Sequence, residues 1–202
     1  MMALYRYSKI KGNHTEYLVN MCETDGEHSR SHGLKTELIK KQAESLNIPI
    51  IQENTDSGNY ELNFKKVITK MKEEDVNVGV FGDIYLMEHR FWIERVCKEM
   101  NIEPVFPLWN LDTQSLLKEF IAEGFEALTV AVNTEKLDSD WLGRKLDASF
   151  YDDIIKLDGI DACAENGEYH TFVYHGPNFK CPVQFKKGEK YRRDNHSYLT
   201  LN

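Results

Sequence analysis

The sequence predicts an α/β fold in which a mostly parallel sheet carries helices on both faces and a small α+β subdomain follows it. Over the first three-quarters of the chain, apolar runs typical of buried strands alternate with segments of helical period. The loops between them are short, which favours strand–helix–strand units and a parallel sheet. Beyond about residue 138 this alternation gives way to short helical turns, a turn at residues 164–167 and two short strand patterns.

Five segments carry apolar side chains at a spacing near 3.6 residues, which predicts amphipathic helices. They lie at residues 1–11, 34–46, 60–71, 92–100 and directly after Asp112, whose side chain can cap the helix N-terminus. Continuous apolar runs predict buried strands at residues 17–22, 48–51, 78–81, 105–106 and 127–132. In the C-terminal part, strands are predicted near residues 170–174 and 182–185.

The ends of the predicted parallel strands are the first positions to examine, because ligands of such sheets bind outside the carboxyl ends of the strands. These positions are residues 20–23, Gly82 with Asp83, and Trp109 with Asn110. Gly82 allows a ligand to approach the backbone closely. The Asp83 carboxylate suits a ligand hydroxyl, a metal or a substrate amine. An ordinary turn at the end of a strand explains these two residues equally well.

Charge and cysteine content narrow the classes of function. The 202 residues carry a formal net charge of -8, with a pI near 5.4, which argues against a general nucleic-acid or membrane-surface binder. Without a recognisable leader peptide or long apolar span, and with four widely spaced cysteines, the sequence predicts a cytoplasmic protein with reduced thiols. The basic residues of segment 186–193 indicate either a solvated terminal strand or a patch for a phosphate or an acidic partner.

Segment 164–171 has the most specific composition in the chain. Gly167 permits a turn between two carboxylates, Glu165 and Glu168, and the imidazole of His170 follows two residues later. Such a cluster can hold Mg²⁺ through water, orient ammonia or move protons. A polar hairpin turn that enters a strand is the alternative interpretation of the same residues.

Three arginines are candidates for contact with a phosphate or a substrate, because the planar guanidinium can hold either anion with two hydrogen bonds. Arg90 and Arg95 lie on one predicted helix, about 140° apart around its axis. One of them can therefore face the site while the other pairs on the surface. Arg144 is either a clamp at the site or an exposed residue of a packing turn.

Two further patterns support chemistry only weakly. His28 and His32 have the spacing of two metal ligands on a helix, but the neighbouring glycines and serines favour a loop. We therefore predict no metal site built by the protein alone. Cys163 lies close in sequence to His170, which allows a thiol nucleophile, although a buried structural thiol is the more frequent role.

Several short motifs occur in a fixed order along the chain. They are Gly82-Asp83-Ile84, Arg90-x4-Arg95-Val96-Cys97, Pro107-Leu108-Trp109, Trp141-Leu142-Gly143-Arg144 and Glu165-Asn166-Gly167-Glu168-Tyr169-His170-Thr171. Together they resemble the diphthine–ammonia ligase family of PP-loop ATP pyrophosphatases. The likeness runs from Met1 to about Phe179.

The resemblance implies a HUP-type (Rossmann-like) nucleotide-binding domain over residues 1–135 and a C-terminal substrate subdomain over residues 136–202. The implied activity is ATP-dependent amide formation with Mg²⁺, in which a carboxylate becomes an acyl-adenylate and ammonia then displaces AMP. The best-known carboxylate of the family is diphthine on elongation factor two of archaea and eukaryotes.

The resemblance also implies a role for each candidate residue. The residues implied to handle ammonia and its proton are Glu165, Glu168 and His170. The residues implied to lie against the nucleotide are Met21, His32, Gly82 and Asp83. The residues implied to contact the substrate or the phosphates are Arg90, Arg95, Trp109, Arg144, Asn166, Gly167 and Thr171.

The chain departs from the family pattern at two places. Family members carry a phosphate loop of the form S-G-G-K-D-S, with a strand before it, directly ahead of the helix that aligns with Met1 to Arg6, and this sequence contains neither. Ala164 stands where the family usually has glycine. We therefore expect inefficient ATP hydrolysis, with a truncated ligase as the first interpretation and a non-catalytic binder of a small molecule or protein as the alternative. Open sheet edges also predict a homodimer.

Overall fold

The chain divides into two compact units. The computed structural model describes residues 1–30 and 32–202. The first unit comprises Met1–Glu27 and Ile48–Leu111, and the second comprises His28–Asn47 and Asp112–Asn202. Among the described residues, no helix is long and apolar enough to cross a lipid bilayer.

The first unit contains two pairs of parallel strands with helices between them. Its elements, numbered along the whole chain, are α1 (Met2–Ser8), β1 (Leu18–Cys22), β2 (Ile50–Asn54), α3 (Tyr60–Lys72), β3 (Val78–Val80), α4 (Met87–Met100) and β4 (Glu103–Val105). Leu18 of β1 pairs with Ile50 of β2, and Val78 of β3 pairs with Glu103 of β4. Parallel strands and an α/β architecture are thus confirmed. The described residues form two separate two-stranded sheets here, not one continuous sheet.

The helices of the first unit form because each presents an apolar stripe to the core. The stripes of α3 and α4 bury Val67 and Ile68, and Ile93 and Val96, at the predicted helical spacing.

Asn101 ends α4 in the left-handed conformation, with φ 53°. Asparagine tolerates that conformation, which closes the last turn and releases the chain into β4.

The second unit is built on a four-stranded antiparallel sheet. Its elements are α2 (Thr36–Leu46), α5 (Thr113–Ala122), β5 (Glu126–Asn133), a 3₁₀ turn (Ser139–Trp141), α6 (Ala148–Ile154), β6 (Tyr169–His175), β7 (Lys187–Arg193) and β8 (His196–Leu201). The strand order is β6-β5-β8-β7. Because β5 lies between two neighbours, six consecutive residues of this strand are buried. As predicted, Asp112 caps α5 by accepting the Ser115 backbone N–H at 2.8 Å.

The prediction that residues 127–132 continue the parallel sheet is wrong, because β5 pairs antiparallel with both β6 and β8. A continuous apolar run identifies a buried strand but carries no information on the direction of its neighbours. The two compact units also have bounds that differ from the predicted domains, residues 1–135 and 136–202. The second unit begins its main segment at Asp112 and includes α2, whose Gln42 Nε2 donates to the Val173 carbonyl at 2.6 Å.

The end of the chain also differs from the prediction. Residues 182–186 form no strand, and the last two strands are β7 and β8. Pro182 has no N–H for a strand ladder, which removes one of the bonds that the predicted strand would need. All seven residues of β7 are exposed, so the basic segment is an exposed strand, as both interpretations of it require.

Candidate functional site

In the first unit, two loops meet beyond the carboxyl ends of β3 and β4. Gly82 and Asp83 follow β3, and Trp109 follows β4. The backbone N–H of Asn110 donates to the Ile84 carbonyl at 2.8 Å, which ties the two loops together. Two of the three positions that the strand-end rule selects, Gly82-Asp83 and Trp109-Asn110, therefore lie at one edge of this pair of strands.

Asp83 stands at this edge beside an imidazole. Its Oδ1 lies 3.3 Å from Nδ1 of His89, and its side chain is 20% exposed. A carboxylate that is partly exposed and close to an imidazole keeps lone pairs for a hydroxyl or a hydrated cation. His89 was missed by sequence reasoning. Its place in the first turn of α4, the helix that follows Asp83, could have identified it as a neighbour of that carboxylate.

Arg90 stacks on two aromatic rings at the same edge. Its guanidinium carbon lies 4.5 Å from the Trp109 ring centroid and 5.0 Å from that of Phe106. Its Nε donates to Glu94 Oε1 at 2.7 Å. Stacking and this ion pair restrict the rotation of a long side chain, so the planar cation is held ready for a phosphate or a carboxylate.

Arg95 belongs to a surface network that joins α3 to α4. Its Nη1 donates to Glu61 Oε1 at 3.0 Å and to Glu99 Oε1 at 2.8 Å. Lys65 Nζ donates to both carboxylates at 2.6 Å. Hydrogen bonds from Arg95 and then Lys65 lower the pKa of Glu61 to about 2. The structure thus separates the two arginines, with Arg90 at the strand ends and Arg95 between the helices.

Met21 is a buried residue of β1 and pairs with Glu53 of β2. The Cys22 carbonyl that follows accepts the Thr55 N–H at 2.9 Å. The backbone at the end of β1 is therefore fixed by β2. Any nucleotide contact of Met21 would come from a rigid strand end.

In the second unit, the loop before β6 is organised by two carboxylates. The Glu168 side chain is fully buried and accepts the N–H of Asp161 at 3.2 Å and that of Asn166 at 3.1 Å. Asp161 Oδ1 accepts the N–H of Cys163 at 2.9 Å and that of Glu165 at 3.1 Å. Asp161 was not among the predicted residues, although an aspartate before a tight turn is a usual signal for such bonds.

Two residues of this loop have left-handed backbone conformations. Gly167 has φ +74° and Ala164 has φ +60°. Glycine adopts this conformation without cost, whereas the methyl group of alanine is strained there. The alanine that departs from the family pattern therefore keeps the backbone shape that glycine would adopt.

His170 and His32 meet in the second unit. Their ring centroids lie 5.0 Å apart in an edge-to-face arrangement. Burial, followed by the neighbouring His170, lowers the pKa of His32 to about 4. Burial, followed by His196, lowers the pKa of His170. The predicted nucleotide residue and the predicted proton-transfer residue are thus neighbours. His196, whose charge acts on His170, was missed by sequence reasoning because it lies 26 residues from His170 in sequence.

The remaining predicted residues of the second unit have structural contacts. Thr171 pairs with Thr129 across the sheet. Arg144 stacks on Trp141 at 4.3 Å and donates to Asp153 Oδ2 at 2.8 Å. Asn166 is exposed, and its carbonyl accepts Lys136 Nζ at 2.7 Å. These contacts hold Arg144 and Asn166 in defined positions.

Cys163 is poorly suited to act as a nucleophile. Burial, followed by Asp161 and Glu165, raises the pKa of its thiol to about 12. Its Sγ donates to the Thr113 carbonyl at 3.2 Å. Because the thiolate is the reactive form, a raised pKa favours a structural role for this cysteine.

Partly exposed carboxylates are the groups of this structure that fit Mg²⁺, since the ion prefers oxygen ligands and retains several waters. Asp83 in the first unit and Glu165 in the second unit meet that condition. Glu168 does not, because it is fully buried and already bonded within its own loop. The basic partners for the phosphates of ATP would include Arg90.

Comparison with known sequences covers almost the whole chain. The family described as the diphthamide synthase N-terminal domain matches residues 1–104, and the diphthamide synthase C-terminal domain matches residues 112–202. The gap between the matches, residues 105–111, lies at the end of the first unit and directly before the second unit's main segment, Asp112–Asn202.

Curated relatives carry one shared name. The chain is 36% identical over 124 residues to the diphthine–ammonia ligase of Homo sapiens, which covers 60% of this chain and 45% of the human protein. It is 32% identical over 119 residues to that of Danio rerio, covering 57% of this chain and 46% of the fish protein. The chain thus spans about half the length of these curated relatives. With both family domains matched in order, the chain belongs to the diphthine–ammonia ligase family.

Proposed function

We propose that this chain forms part of an ATP-dependent ligase that converts a carboxylate to an amide with ammonia. The observation that carries the proposal is the stacking of Arg90 on Trp109 beside Asp83, at the strand ends of a protein of this family. A restrained cation beside a partly exposed carboxylate suits a nucleotide that must be held while charge develops on its α-phosphate. The names of the curated relatives support the same reaction class.

In the first proposed step, a carboxylate oxygen attacks the α-phosphorus of ATP and pyrophosphate leaves. Arg90 stabilises the negative charge on the phosphate or the carboxylate, and Asp83 holds a ribose hydroxyl or a hydrated Mg²⁺. In the second step, the nitrogen of ammonia attacks the acyl carbon of the adenylate and AMP leaves. The proton released by nitrogen passes to a base.

The residues proposed for this step are Glu165, Glu168 and His170. The pKa of His170 lies below its ordinary value because the ring is buried and His196 is close. A lowered pKa keeps the imidazole neutral near pH 7, so it can accept a proton. Glu165 is partly exposed and lies in the same loop as Glu168.

We also propose that the 202 residues alone release little AMP, because the sequence contains no S-G-G-K-D-S segment to hold the phosphates. The second candidate function is that the chain binds a small molecule or a protein without ATP turnover. Diphthine on elongation factor two is the proposed substrate in archaea and eukaryotes. A homodimer and a cytoplasmic location stay predictions.

The test is the release of AMP and pyrophosphate from ATP in the presence of ammonium chloride and candidate carboxylates, including elongation factor two bearing diphthine. The comparison uses the 202-residue chain and the same chain extended by a family phosphate loop with its strand. AMP formation that depends on both ammonium and carboxylate, and that is faster in the extended protein, is the expected result. Release of ADP and phosphate instead would contradict the ligase, whereas nucleotide binding with no turnover in either protein would favour the second candidate.

A further inference from the structure

The buried carboxylate of Glu168 accepts three hydrogen bonds from its own loop. Oε1 accepts the Asp161 N–H at 3.2 Å and Asn166 Nδ2 at 3.3 Å, and Oε2 accepts the Asn166 N–H at 3.1 Å. The side chain has no exposed surface. A buried charge needs such partners, and a substrate could reach it only if the loop opened. Glu168 therefore acts on the backbone of the loop.

Asp161 completes this arrangement from the other end of the loop. Its Oδ1 accepts the N–H groups of Cys163 and Glu165 at 2.9 and 3.1 Å. Its own N–H is the one that Glu168 accepts. The consecutive amides of Glu165 and Asn166 are thus held by two different carboxylates. The direction in which the Glu165 side chain leaves the backbone follows from these bonds.

Lys136 ties the loop to the end of β5. Its Nζ donates to the Asn166 carbonyl at 2.7 Å and lies 4.0 Å from Glu168 Oε1. The residue follows β5 by three positions, so it links the loop to the central strand of the sheet. Lys136 also supplies positive charge beside the buried carboxylate.

We propose that Asp161, Lys136 and Glu168 are positioning residues, which together place Glu165 as the carboxylate that contacts ammonia. This inference rests on the proposed ligase function and divides the roles of the two glutamates. Glu165 is a partly exposed carboxylate of the loop, whereas Glu168 is fully buried and sets the geometry of the loop. Residues that orient a reacting group commonly change activity about 10- to 100-fold when they are replaced.

The first experiment uses the second half-reaction, because it needs no pyrophosphate release. Ammonia displaces AMP from synthetic acetyl-adenylate, and amide formation is followed at increasing ammonium concentration. We expect Asp161→Ala to raise the KM for ammonia at least about tenfold while the KM for acetyl-adenylate stays unchanged. Asp161→Asn should restore the KM for ammonia, since its amide oxygen can accept the same two N–H groups. Asp152→Ala, which removes an exposed aspartate of the same unit, is the control.

The second experiment measures amide hydrogen exchange at residues 161–168 in the same variants. Asp161→Ala should speed exchange at Cys163 and Glu165, whereas Glu165→Gln should leave exchange unchanged and still lower amide formation. Unchanged exchange in Asp161→Ala, or faster exchange with an unchanged KM for ammonia, would overturn the inference. A parent protein that forms amide neither from acetyl-adenylate nor in the ligase assay with elongation factor two bearing diphthine would reject the proposed function, and the role of Glu165 with it. An active parent whose Asp161→Asn variant behaves like Asp161→Ala would reject the positioning role alone.

Discussion

The imidazole rings of His32 and His170 meet edge to face, with their planes 68° apart. His32 precedes α2 and His170 lies on β6, so the contact joins a loop to the sheet of the second unit. The pKa of His32 falls to about 4 because the ring is buried and His170 is adjacent. Both rings are therefore neutral near pH 7.

This contact makes the stability of the protein sensitive to acid. The unfolded chain binds a proton on His32 near pH 6.5, whereas the folded protein binds it only near pH 4. Protons therefore favour unfolding within that window, and the free energy of unfolding should fall by about 2–3 kcal/mol from pH 7 to pH 4.5 through His32.

Urea unfolding of the parent and of His32→Gln at pH 7 and pH 4.5 measures this effect. We expect the variant to lose less stability on acidification than the parent. His14→Gln is the control, because the His14 side chain is 76% exposed. Equal losses in the parent and in His32→Gln would show that His32 does not titrate in this way.

Replacement of Ala164 by glycine should stabilise the protein. Ala164 has φ +60°, a conformation that costs alanine about 1–2 kcal/mol. This relief exceeds the entropic cost of glycine, about 0.5–1 kcal/mol, so the free energy of unfolding should rise by about 0.5 kcal/mol or more. Chemical denaturation measures the change.

The matched variant is Gly167→Ala in the same loop. No atom of the described residues lies within 4 Å of the added methyl, so the expected effect is that of φ +74°. By the same balance of strain against the entropy of glycine, we expect a loss of about 0.5 kcal/mol or more. A stabilised Gly167→Ala variant would show that the loop relaxes away from the left-handed conformation.

Arg90 and Arg95 offer a paired test of the site in the first unit. Arg90→Gln removes the cation that stacks on Trp109, whereas Arg95→Gln removes one from the network with Glu61. We expect binding of AMP, measured by calorimetry, to weaken about tenfold or more in Arg90→Gln, because hydrogen bonds to charged groups contribute about 1.5–3 kcal/mol. Arg95→Gln should bind AMP as the parent does. Weaker binding in Arg95→Gln alone would place the nucleotide elsewhere.

The hydroxyl of buried Thr129 organises the turn that carries Arg144. Its Oγ1 accepts the N–H groups of Gly143 and Arg144 at 2.9 and 3.1 Å and donates to the Trp141 carbonyl. Thr129→Val removes these three hydrogen bonds of the hydroxyl, although the Gly143 N–H keeps its bond to the Thr129 carbonyl at 2.9 Å. The loss should lower the free energy of unfolding by about 1–3 kcal/mol.

Thr129→Ser keeps the hydroxyl and is the control, with a loss limited to that of one methyl group, about 1 kcal/mol. Thermal unfolding of both variants gives the comparison. A valine variant as stable as the serine variant would mean that water replaces the hydroxyl at this turn.

Sequence periodicity predicted the positions of the helices and of most strands, since burial of one face leaves a regular pattern in residues such as Val67 and Val96. It did not predict the pairing of β5, because the direction of a neighbouring strand leaves no trace in an apolar run. The prediction placed a strand near residues 182–185 and not at Lys187–Arg193, because the residues of β7 are polar and exposed and leave no apolar pattern.

For the sites, the ends of the strands identified Asp83 and Trp109 from sequence. The contacts that organise these sites could not be predicted in the same way. Asp161 and Glu168 meet because a turn folds back on itself, and His196 reaches His170 only after β8 joins the sheet. Such contacts depend on tertiary structure, whereas periodicity reports only local burial.

The exposed strand β7 has a consequence for this protein in concentrated solution. It ends the order β6-β5-β8-β7 and carries Lys187, Lys190, Arg192 and Arg193. A second copy that extended the sheet here would align one row of cations with another, so their mutual repulsion opposes fibril-like growth. Salt shortens the range of this repulsion to about 3 Å at 1 M. Storage in concentrated salt therefore removes the electrostatic barrier that keeps this edge from templating aggregation.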